Sequence, residues 1–292
     1  MTELVQLVVS GLATGAIYAI AAMGFTLLWQ TSGTINFAQG EFVMLPGFFM
    51  LGFLVVPNMP LLGAFLLTVL LSAIVLGWGF KRVVVDPMIR HGVLPLVIAT
   101  IALGIALKHI VKVSYSVEAQ PFPNLFPPGV WNVGGVAVSV HDIGVLLVTL
   151  ALVGGLQLFL ARTTTGRAMQ AVAQNQDAAR VLGIDVPRMI LLTFVINAIL
   201  AATAALLVTP IYLAKFDLGE SLGLKAFYAA IIGGFNQMRG ALLGGLLIGV
   251  LENLSAAYVS HQYKDAVALV LFVAIILFRP EGLLGKAEER RV

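Results

Sequence analysis

The chain has 292 residues, of which 60% are hydrophobic and only 11% are charged, and its formal net charge is +3. This composition excludes an ordinary soluble globular domain and indicates an integral membrane protein. The small net charge gives no case for nucleic-acid binding. The absence of cysteine excludes disulfides, thiolate metal sites and cysteine nucleophiles.

The N-terminal sequence lacks the basic region of a secretory signal peptide. Residues 1–6, MTELVQ, contain Glu3 but neither Lys nor Arg. A signal peptide begins with a positively charged stretch. We therefore expect the first apolar segment to be kept as a membrane span.

Nine apolar segments follow one another along the chain, and several approach the roughly 20 residues that cross a bilayer. They cover residues 4–29, 41–56, 61–80, 93–113, 143–161, 189–212, 224–236, 240–259 and 265–279. Segment 224–236 is short and fits a half helix or a re-entrant helix. We therefore predict an all-α, polytopic bundle of about eight or nine transmembrane helices, forming one domain over residues 1–292.

Basic residues predict the orientation, because Lys and Arg of short loops are retained in the cytoplasm. Arginines mark the loops at residues 82–90, 162–188 and 239, and the C-terminal tail also carries Lys286, Arg290 and Arg291. The basic residues expected on the external side are all lysines: Lys108, Lys112, Lys215, Lys225 and Lys264. This pattern predicts an external N-terminus and a cytoplasmic C-terminus, provided that segment 224–236 crosses the bilayer.

A polar stretch, TSGTINFAQGE, interrupts the apolar sequence at Thr31–Glu41. It holds Asn36, Gln39 and Glu41 between two spans. Irregular backbone near the membrane is tolerated where it is buried in protein or lines a watery cavity. The residues alone leave two interpretations open: a segment that lines a pathway, or a polar turn whose Glu41 interacts with the dipole of the next helix.

A second polar stretch, Thr163–Gly183, lies between two long apolar segments. Its composition predicts one short helix that Thr165 caps and that Gly183 ends in a left-handed turn. Four side chains at three-to-four spacing share one face: Arg167, Gln170, Gln174 and Asp177. Such a helix could lie along the membrane and present a polar stripe to another protein.

Small residues at four-residue spacing predict two helix-packing surfaces. Gly11, Gly15 and Ala19 form the first, and Gly240, Gly244, Gly245 and Gly249 form the second. Glu252 follows the second surface inside an apolar run, where a carboxylate is costly unless paired or hydrated. It could line a path, bond to a neighbouring helix or carry protons. The last is the least favoured, because no His or second acid has an obvious place beside it.

The sequence contains little that indicates enzymatic chemistry. The four histidines stand singly, without metal-ligand spacing: His91, His109, His141 and His261. Neither a nucleophile elbow nor a phosphate-binding loop is present. If ATP drives transport through this chain, the ATPase must be another polypeptide.

Three motifs in order resemble the permease subunits of ATP-binding-cassette (ABC) importers for branched-chain amino acids, the Liv-H type. They are GLATGAIYAIAAMGFTLLWQTSGTINFAQGEF (Gly11–Phe42), TTTGRAMQAVAQNQDAARVLGID (Thr163–Asp185) and IIGGFNQMRGALLGGLLIGVLE (Ile231–Glu252). The resemblance covers essentially the whole chain and ends with FRPEGLLG (Phe278–Gly285). The motifs are specific to the broader group of hydrophobic amino acid, amide and urea permeases.

The resemblance implies that Thr163–Gly183 is a cytoplasmic coupling helix that docks on the nucleotide-binding subunit. Asp177-Ala178-Ala179-x-x-x-Gly183 fits the E-A-A-x-x-x-G pattern of importer permeases with Asp in place of Glu. The I-x-L-P that follows in the general pattern has no clear counterpart. The residues assigned to coupling are Gly166, Arg167, Gln170, Gln174, Asp177, Ala178, Ala179, Arg180 and Gly183.

The same resemblance implies a translocation path and a set of partners. The path candidates are Asn36, Phe37, Gln39, Gly40, Glu41 and Glu252. Such permeases pair with a second, related permease, two ATP-binding subunits and a periplasmic substrate-binding protein. They lie in the bacterial inner membrane, bind no cofactor and leave ATP hydrolysis to the partner subunits.

Other functions remain open at this point. A urea or short-chain amide ABC permease would have the same architecture. A secondary transporter would need its own coupling-ion site and usually inverted repeats, and a passive channel for a small neutral solute would need no docking helix.

Overall fold

The structure is a computed structural model that describes residues 2–115 and 117–285. Almost all of its regular structure is helical, with one two-stranded antiparallel hairpin. The basic residues Lys286, Arg290 and Arg291 lie outside the described residues.

The elements follow the predicted segments closely. The helices are α1 Thr2–Ser32, α2 Gln39–Leu54, α3 Leu61–Ser72, α4 Asp86–Ile89, α5 Val93–Ser114, α6 Val140–Arg162, α7 Thr164–Gln174, α8 Gln176–Val181, α9 Val186–Tyr212, α10 Leu218–Gly233, α11 Met238–Tyr258 and α12 Lys264–Phe278. The hairpin consists of β1 Val130–Val133 and β2 Val136–Ser139. Two π-helical stretches, Ala73–Gly79 and Lys81–Val85, continue α3, and a short 3₁₀ turn, His261–Tyr263, precedes α12.

Among the described residues, seven helices are long and apolar enough to cross a membrane. They are Thr2–Ser32, Leu61–Ile89, Val93–Ser114, Val140–Arg162, Val186–Tyr212, Met238–Tyr258 and His261–Phe278. The predicted all-α, polytopic membrane fold is therefore confirmed. The short apolar segment 224–236 corresponds to α10, which has only 16 residues. α2 is equally short, with 16 residues.

Contacts between residues divide the described chain into two compact units. Unit 1 comprises the described parts of Met1–Thr26, Phe126–Thr149 and Leu224–Val292, and unit 2 comprises those of Leu27–Leu125 and Leu150–Gly223. The interpretation of residues 1–292 as one domain stays a prediction.

Unit 1 is organised around close helix contacts at small residues. A Cβ atom on Gly11 would lie 2.7 Å from the Cα of Val250, and one on Gly245 would lie 2.6 Å from the Cα of Ala19. The other predicted packing glycines also meet backbone: Gly15 faces Gly245 and Leu246, Gly249 faces Gly11 and Gly15, Gly240 faces Gly233, and Gly244 faces Ala229. The backbones of α1, α10 and α11 approach each other closely because these positions lack side chains.

The stretch Phe278–Gly285 at the end of the described chain packs back onto α10 of unit 1 through its backbone. Leu283 and Leu284 donate N–H groups to the carbonyl oxygens of Ile232 and Gly233 at 2.8 and 3.1 Å. The stretch FRPEGLLG is therefore tied to the end of α10.

Unit 2 is built on α2, the π-helical end of α3, and α9. Phe80 contacts Phe42 and Phe194 with ring centroids 4.9 and 5.9 Å apart, and all three rings are buried. Gly77 lets the π-helical turn approach α9, because its Cβ would lie 2.7 Å from the Cα of Val195. The two polar stretches singled out in the sequence analysis, Thr31–Glu41 and Thr163–Gly183, both belong to this unit.

Candidate docking segment and transport path

The polar stretch after α6 forms two helices rather than the single predicted helix. α7 begins with Thr163, whose Oγ1 accepts the backbone N–H of Gly166 at 2.9 Å. The predicted cap, Thr165, lies inside the first turn instead. Asn175 interrupts the helix with extended backbone, and its Oδ1 accepts the N–H of Ala178 at 2.9 Å to start α8. The prediction of one helix was wrong because an Asn side chain can cap a new helix as well as continue an old one.

The end of this stretch is the left-handed turn that the sequence predicted. Gly183 has φ +80°. Its N–H bonds to the carbonyl oxygen of Arg180, and the N–H of Ile184 bonds to that of Ala179, both at 3.0 Å. This pair of bonds is the Schellman arrangement, which satisfies carbonyl groups at a helix end.

The stretch Thr163–Gly183, called the docking segment from here on, presents a polar face to the outside. The four predicted polar side chains are all exposed: Arg167, Gln170, Gln174 and Asp177. On the opposite face Met169, Val172 and Ala179 are each 1% exposed. Gly166 is also buried, because a Cβ there would meet the backbone of Phe159 and Leu160. The segment is therefore seated on unit 2 by one face and open on the other.

Several docking-segment residues differ from the roles expected of them. Ala179 faces unit 2, so only Ala178 of the alanine pair is exposed. Arg180 forms an ion pair with Asp177 at 2.7 Å within α8. Val181 and Leu182 are 88% and 76% exposed. These two side chains add a small apolar area to the exposed surface of the segment.

A side chain that the sequence analysis missed connects the docking segment to α1. Gln176 Nε2 donates to the backbone carbonyl oxygen of Thr31 at 2.8 Å. Thr31 lies in the last turn of α1, shortly before the candidate path residues Asn36–Glu41. Gln176 could hardly be singled out from the sequence, because it is one of three glutamines in the same stretch.

The candidate path segment, Asn36–Glu41, is held by buried amide groups. Asn36 Oδ1 accepts the N–H of Ala38 at 3.0 Å. Gln39 and Asn197 of α9 exchange two side-chain hydrogen bonds at 2.8 and 2.9 Å, and both are fully buried. The sequence analysis missed Asn197, although a polar Asn inside the apolar run of α9 could have indicated it. Phe37 is 43% exposed.

The helices α2 and α10 begin in backbone contact with each other. A Cβ on Gly40 would fall on the carbonyl group of Gly219, and one on Gly219 would fall on that of Gly40. A Cβ on Gly223 would lie 2.7 Å from the Cα of Gly40. Glycine is therefore required at this crossing for steric reasons alone.

Charged side chains stand next to this crossing. Glu41 lies in the first turn of α2 and is partly buried. A Cβ on Gly104 of α5 would be 3.0 Å from Glu41 Oε2. Farther along α5, Lys108 Nζ forms an ion pair with Glu220 Oε2 at 2.5 Å.

Comparison with known proteins decides the family. The family described as branched-chain amino acid transport system / permease component matches residues 7–276. The chain belongs to this family. It is 36% identical over 301 residues to the high-affinity branched-chain amino acid transport system permease protein BraD of Pseudomonas aeruginosa, covering 98% of this chain and 97% of BraD.

More distant relatives agree with this assignment. The chain is 33% identical over 302 residues to LivH of Escherichia coli K12, which has the same description, covering 98% of this chain and 97% of LivH. It is 26% identical over 288 residues to a probable branched-chain amino acid transport permease protein LivH of Methanocaldococcus jannaschii, covering 91% and 88%. No solved structure matches the permease.

Glu252 of the permease is enclosed in an ion cluster of unit 1 and is 2% exposed. Its Oε1 pairs with Lys225 Nζ at 2.8 Å, and its Oε2 accepts the hydroxyl of Tyr18 at 2.9 Å. Lys225 also pairs with Asp265 Oδ1 at 2.8 Å. The statement that no second acid has a place near Glu252 was wrong, because Asp265 reaches the same lysine from α12. Of the three roles left open, the geometry corresponds to bonding between helices.

A cleft of about 790 Å³ in unit 2 collects the basic residues of two separate loops of the permease. Its charged lining consists of Lys81, Arg82, Asp86, Arg90, Asp185 and Arg188. The charge pattern predicted a cytoplasmic position for both loops, and the cleft brings residues of the two loops together within unit 2.

Proposed function

We propose that this permease is the membrane subunit of an ABC importer that carries branched-chain amino acids across the bacterial inner membrane by alternating access. The observation that carries the proposal is the docking segment: it is seated firmly on unit 2, exposes a polar face and bonds to the end of α1. The names of the relatives favour branched-chain amino acids over urea or short-chain amides.

The docking segment would receive motion from an ATP-binding subunit. Its exposed side chains include Arg167, Gln170 and Gln174, and the apolar Val181 and Leu182 stand beside them. Movement of α8 would pull on the last turn of α1 through the bond from Gln176 to Thr31. The chain continues from there into Asn36–Glu41, so a displacement at the membrane surface has a short covalent route to the path.

The path would run along the segment Asn36–Glu41. Asn36, Gln39 and Gly40 fix the position of α2 through buried bonds and the glycine crossing. Phe37 and Glu41 are the members with exposed surface. We infer a structural role for Glu252 within unit 1, because its carboxylate is already bonded on both oxygens.

The remaining subunits would supply energy and selectivity. We infer a second, related permease, two ATP-binding subunits and a periplasmic substrate-binding protein as partners. This chain would hold no ATPase site and no cofactor. The shared cleft of Lys81, Arg82 and Arg188 supports a cytoplasmic position for both basic loops, with the N-terminus outside and the C-terminus inside.

The test is reconstitution of the complex, recovered with its partner subunits, into proteoliposomes that contain ATP. We expect uptake of labelled leucine that requires ATP, the binding protein and the ATPase subunits. Gly183→Asp and Arg180→Glu should uncouple ATP hydrolysis from uptake while insertion remains intact, because the first strains a left-handed position and the second repels Asp177.

Gly134→Asp is the matched control, since Gly134 also has positive φ but lies in the hairpin turn. Normal ATP-driven uptake in both docking-segment variants would contradict the docking role. Uptake by the chain alone, driven by an ion gradient, would instead establish a secondary transporter.

A further inference from the structure

The beginnings of α2 and α10 carry the same short sequence pattern. Phe37-Ala38-Gln39-Gly40-Glu41 and Phe216-Asp217-Leu218-Gly219-Glu220 both read Phe-x-x-Gly-Glu. In each case a long helix ends, a short non-helical stretch follows, and a 16-residue helix begins with Gly as its second residue and Glu as its third. The two patterns are therefore equivalent in structure as well as in sequence.

The two patterns meet at their glycines and bring their carboxylates to the same region of unit 2. Gly40 and Gly219 are in backbone contact. Glu41 lies against Gly104 near the middle of the α5 span, and Glu220 pairs with Lys108 in the second half of that span. The side chain of Glu220 is 64% exposed. Exposed charges at this depth are costly in lipid, so this face meets water or another protein.

The two carboxylates differ in one respect that bears on a ligand. Glu220 has Lys108 as its cation, and Lys108 and Lys112 also stand over the Phe216 ring at 5.9 and 5.4 Å. Glu41 has no Lys, Arg or His within ion-pair distance among residues 2–115 and 117–285. A partly buried carboxylate inside a membrane domain needs a compensating cation. Of the two equivalent positions, Glu220 holds Lys108 in a direct ion pair, whereas Glu41 forms no ion pair in the described residues and feels Lys108 only at longer range.

We propose that Glu41 binds the α-ammonium group of the amino acid in transit, in the place that Lys108 takes at Glu220. Phe37, which is 43% exposed, lies in the same pattern and offers apolar surface to a branched aliphatic side chain. Gly104 makes room for the carboxylate, because a Cβ there would lie only 3.0 Å from Glu41 Oε2. This inference rests on the proposed function, since it requires that the substrate be an amino acid.

The test uses the complete reconstituted importer with Glu41→Gln, Glu41→Asp and the control Asp217→Asn. Asp217 is an exposed carboxylate of the same region, in the second pattern, and has no part in the proposed site. Uptake of labelled leucine and ATP hydrolysis stimulated by the loaded binding protein are measured in the same vesicles. We expect Glu41→Gln to lower uptake at least tenfold with stimulated hydrolysis retained, Glu41→Asp to restore a substantial part, and Asp217→Asn to match the unmodified importer.

Each other result overturns the proposal. Uptake by Glu41→Gln within twofold of the unmodified importer would show that the carboxylate is dispensable. Equal loss of uptake and of stimulated hydrolysis in both Glu41 variants would make Glu41 a structural residue. Failure of the unmodified complex to import leucine with ATP would instead reject the proposed function itself, so the two failures are distinguishable.

Discussion

The two lysine–glutamate clusters of the permease use the same chemistry in opposite surroundings. In unit 1, Lys225 and Glu252 are buried, with side chains 8% and 3% exposed, and Tyr18 and Asp265 complete their bonds. In unit 2, Lys108 and Glu220 are 27% and 64% exposed. The first cluster is closed and saturated, and the second leaves the nearby Glu41 open.

This difference in burial decides what each cluster can do. A buried ion pair is expensive to desolvate, so removing one partner leaves an uncompensated charge in the interior. An exposed pair contributes little to stability but remains able to exchange its partner for a ligand. Unit 1 therefore uses its ions to hold helices together, whereas unit 2 presents them on a surface.

The largest expected effect is the loss of stability on Lys225→Met. The variant removes the close partner of the buried Glu252 and leaves it only the longer contact to Lys264 Nζ at 3.8 Å. Loss of one partner of a buried pair costs about 3–5 kcal/mol. We expect the thermal unfolding midpoint of the detergent-purified permease to fall by about 10 °C, as a penalty of this size implies.

Two further variants sharpen this expectation. Lys108→Met removes the equivalent lysine from the exposed cluster and should shift the midpoint by at most about 2 °C. Adding Glu252→Gln to Lys225→Met should recover part of the loss, since it removes the orphaned charge. A Lys225→Met midpoint equal to that of Lys108→Met would contradict the comparison between the two clusters.

A smaller effect is expected from Gly40→Ala, which tests whether the crossing of Gly40 and Gly219 positions α2 and therefore Glu41. The new Cβ would collide with the backbone of Gly219, and overpacking of this kind costs about 1–3 kcal/mol. Because α2 must shift, we expect both a lower unfolding midpoint and reduced leucine uptake.

The matched control is Gly154→Ala in α6, where a Cβ would have no neighbour within 4 Å. It should be neutral or slightly stabilising, because alanine is the better helix former. Equal behaviour of the two variants would mean that the glycine crossing does not position α2.

The spans could be predicted from the sequence because the bilayer imposes one length and one polarity on every crossing. Each of the nine apolar segments became a helix, including the short α10. The left-handed turn at Gly183 was also predictable, since glycine at a helix end has a local cause.

Contacts between distant residues were beyond the same reasoning. Lys225 and Glu252 stand on different helices, and Tyr18 belongs to a third, so no local pattern connects them. The helix break at Asn175 was missed although its cause is local. The Asn175 side chain bonds to the backbone of Ala178 and so competes with the helix that it interrupts. The Phe-x-x-Gly-Glu pattern that Gly40 and Gly219 share can be found in the sequence. Only the structure shows that the two glycines are in backbone contact.

The smallest expected effect concerns the bond that connects the docking segment to the last turn of α1. Gln176→Ala removes one neutral, partly buried hydrogen bond to Thr31, worth about 1 kcal/mol. We expect the number of leucine molecules imported per ATP hydrolysed to fall a few-fold, while the unfolding midpoint changes by less than in Gly40→Ala. Gln174→Ala is the control for stability, because Gln174 is exposed and lies at the end of α7, on the other side of Asn175. If Gln176→Ala keeps the full transport ratio, motion must reach Asn36–Glu41 through another contact of unit 2, and the covalent continuity from Thr31 would not be its route.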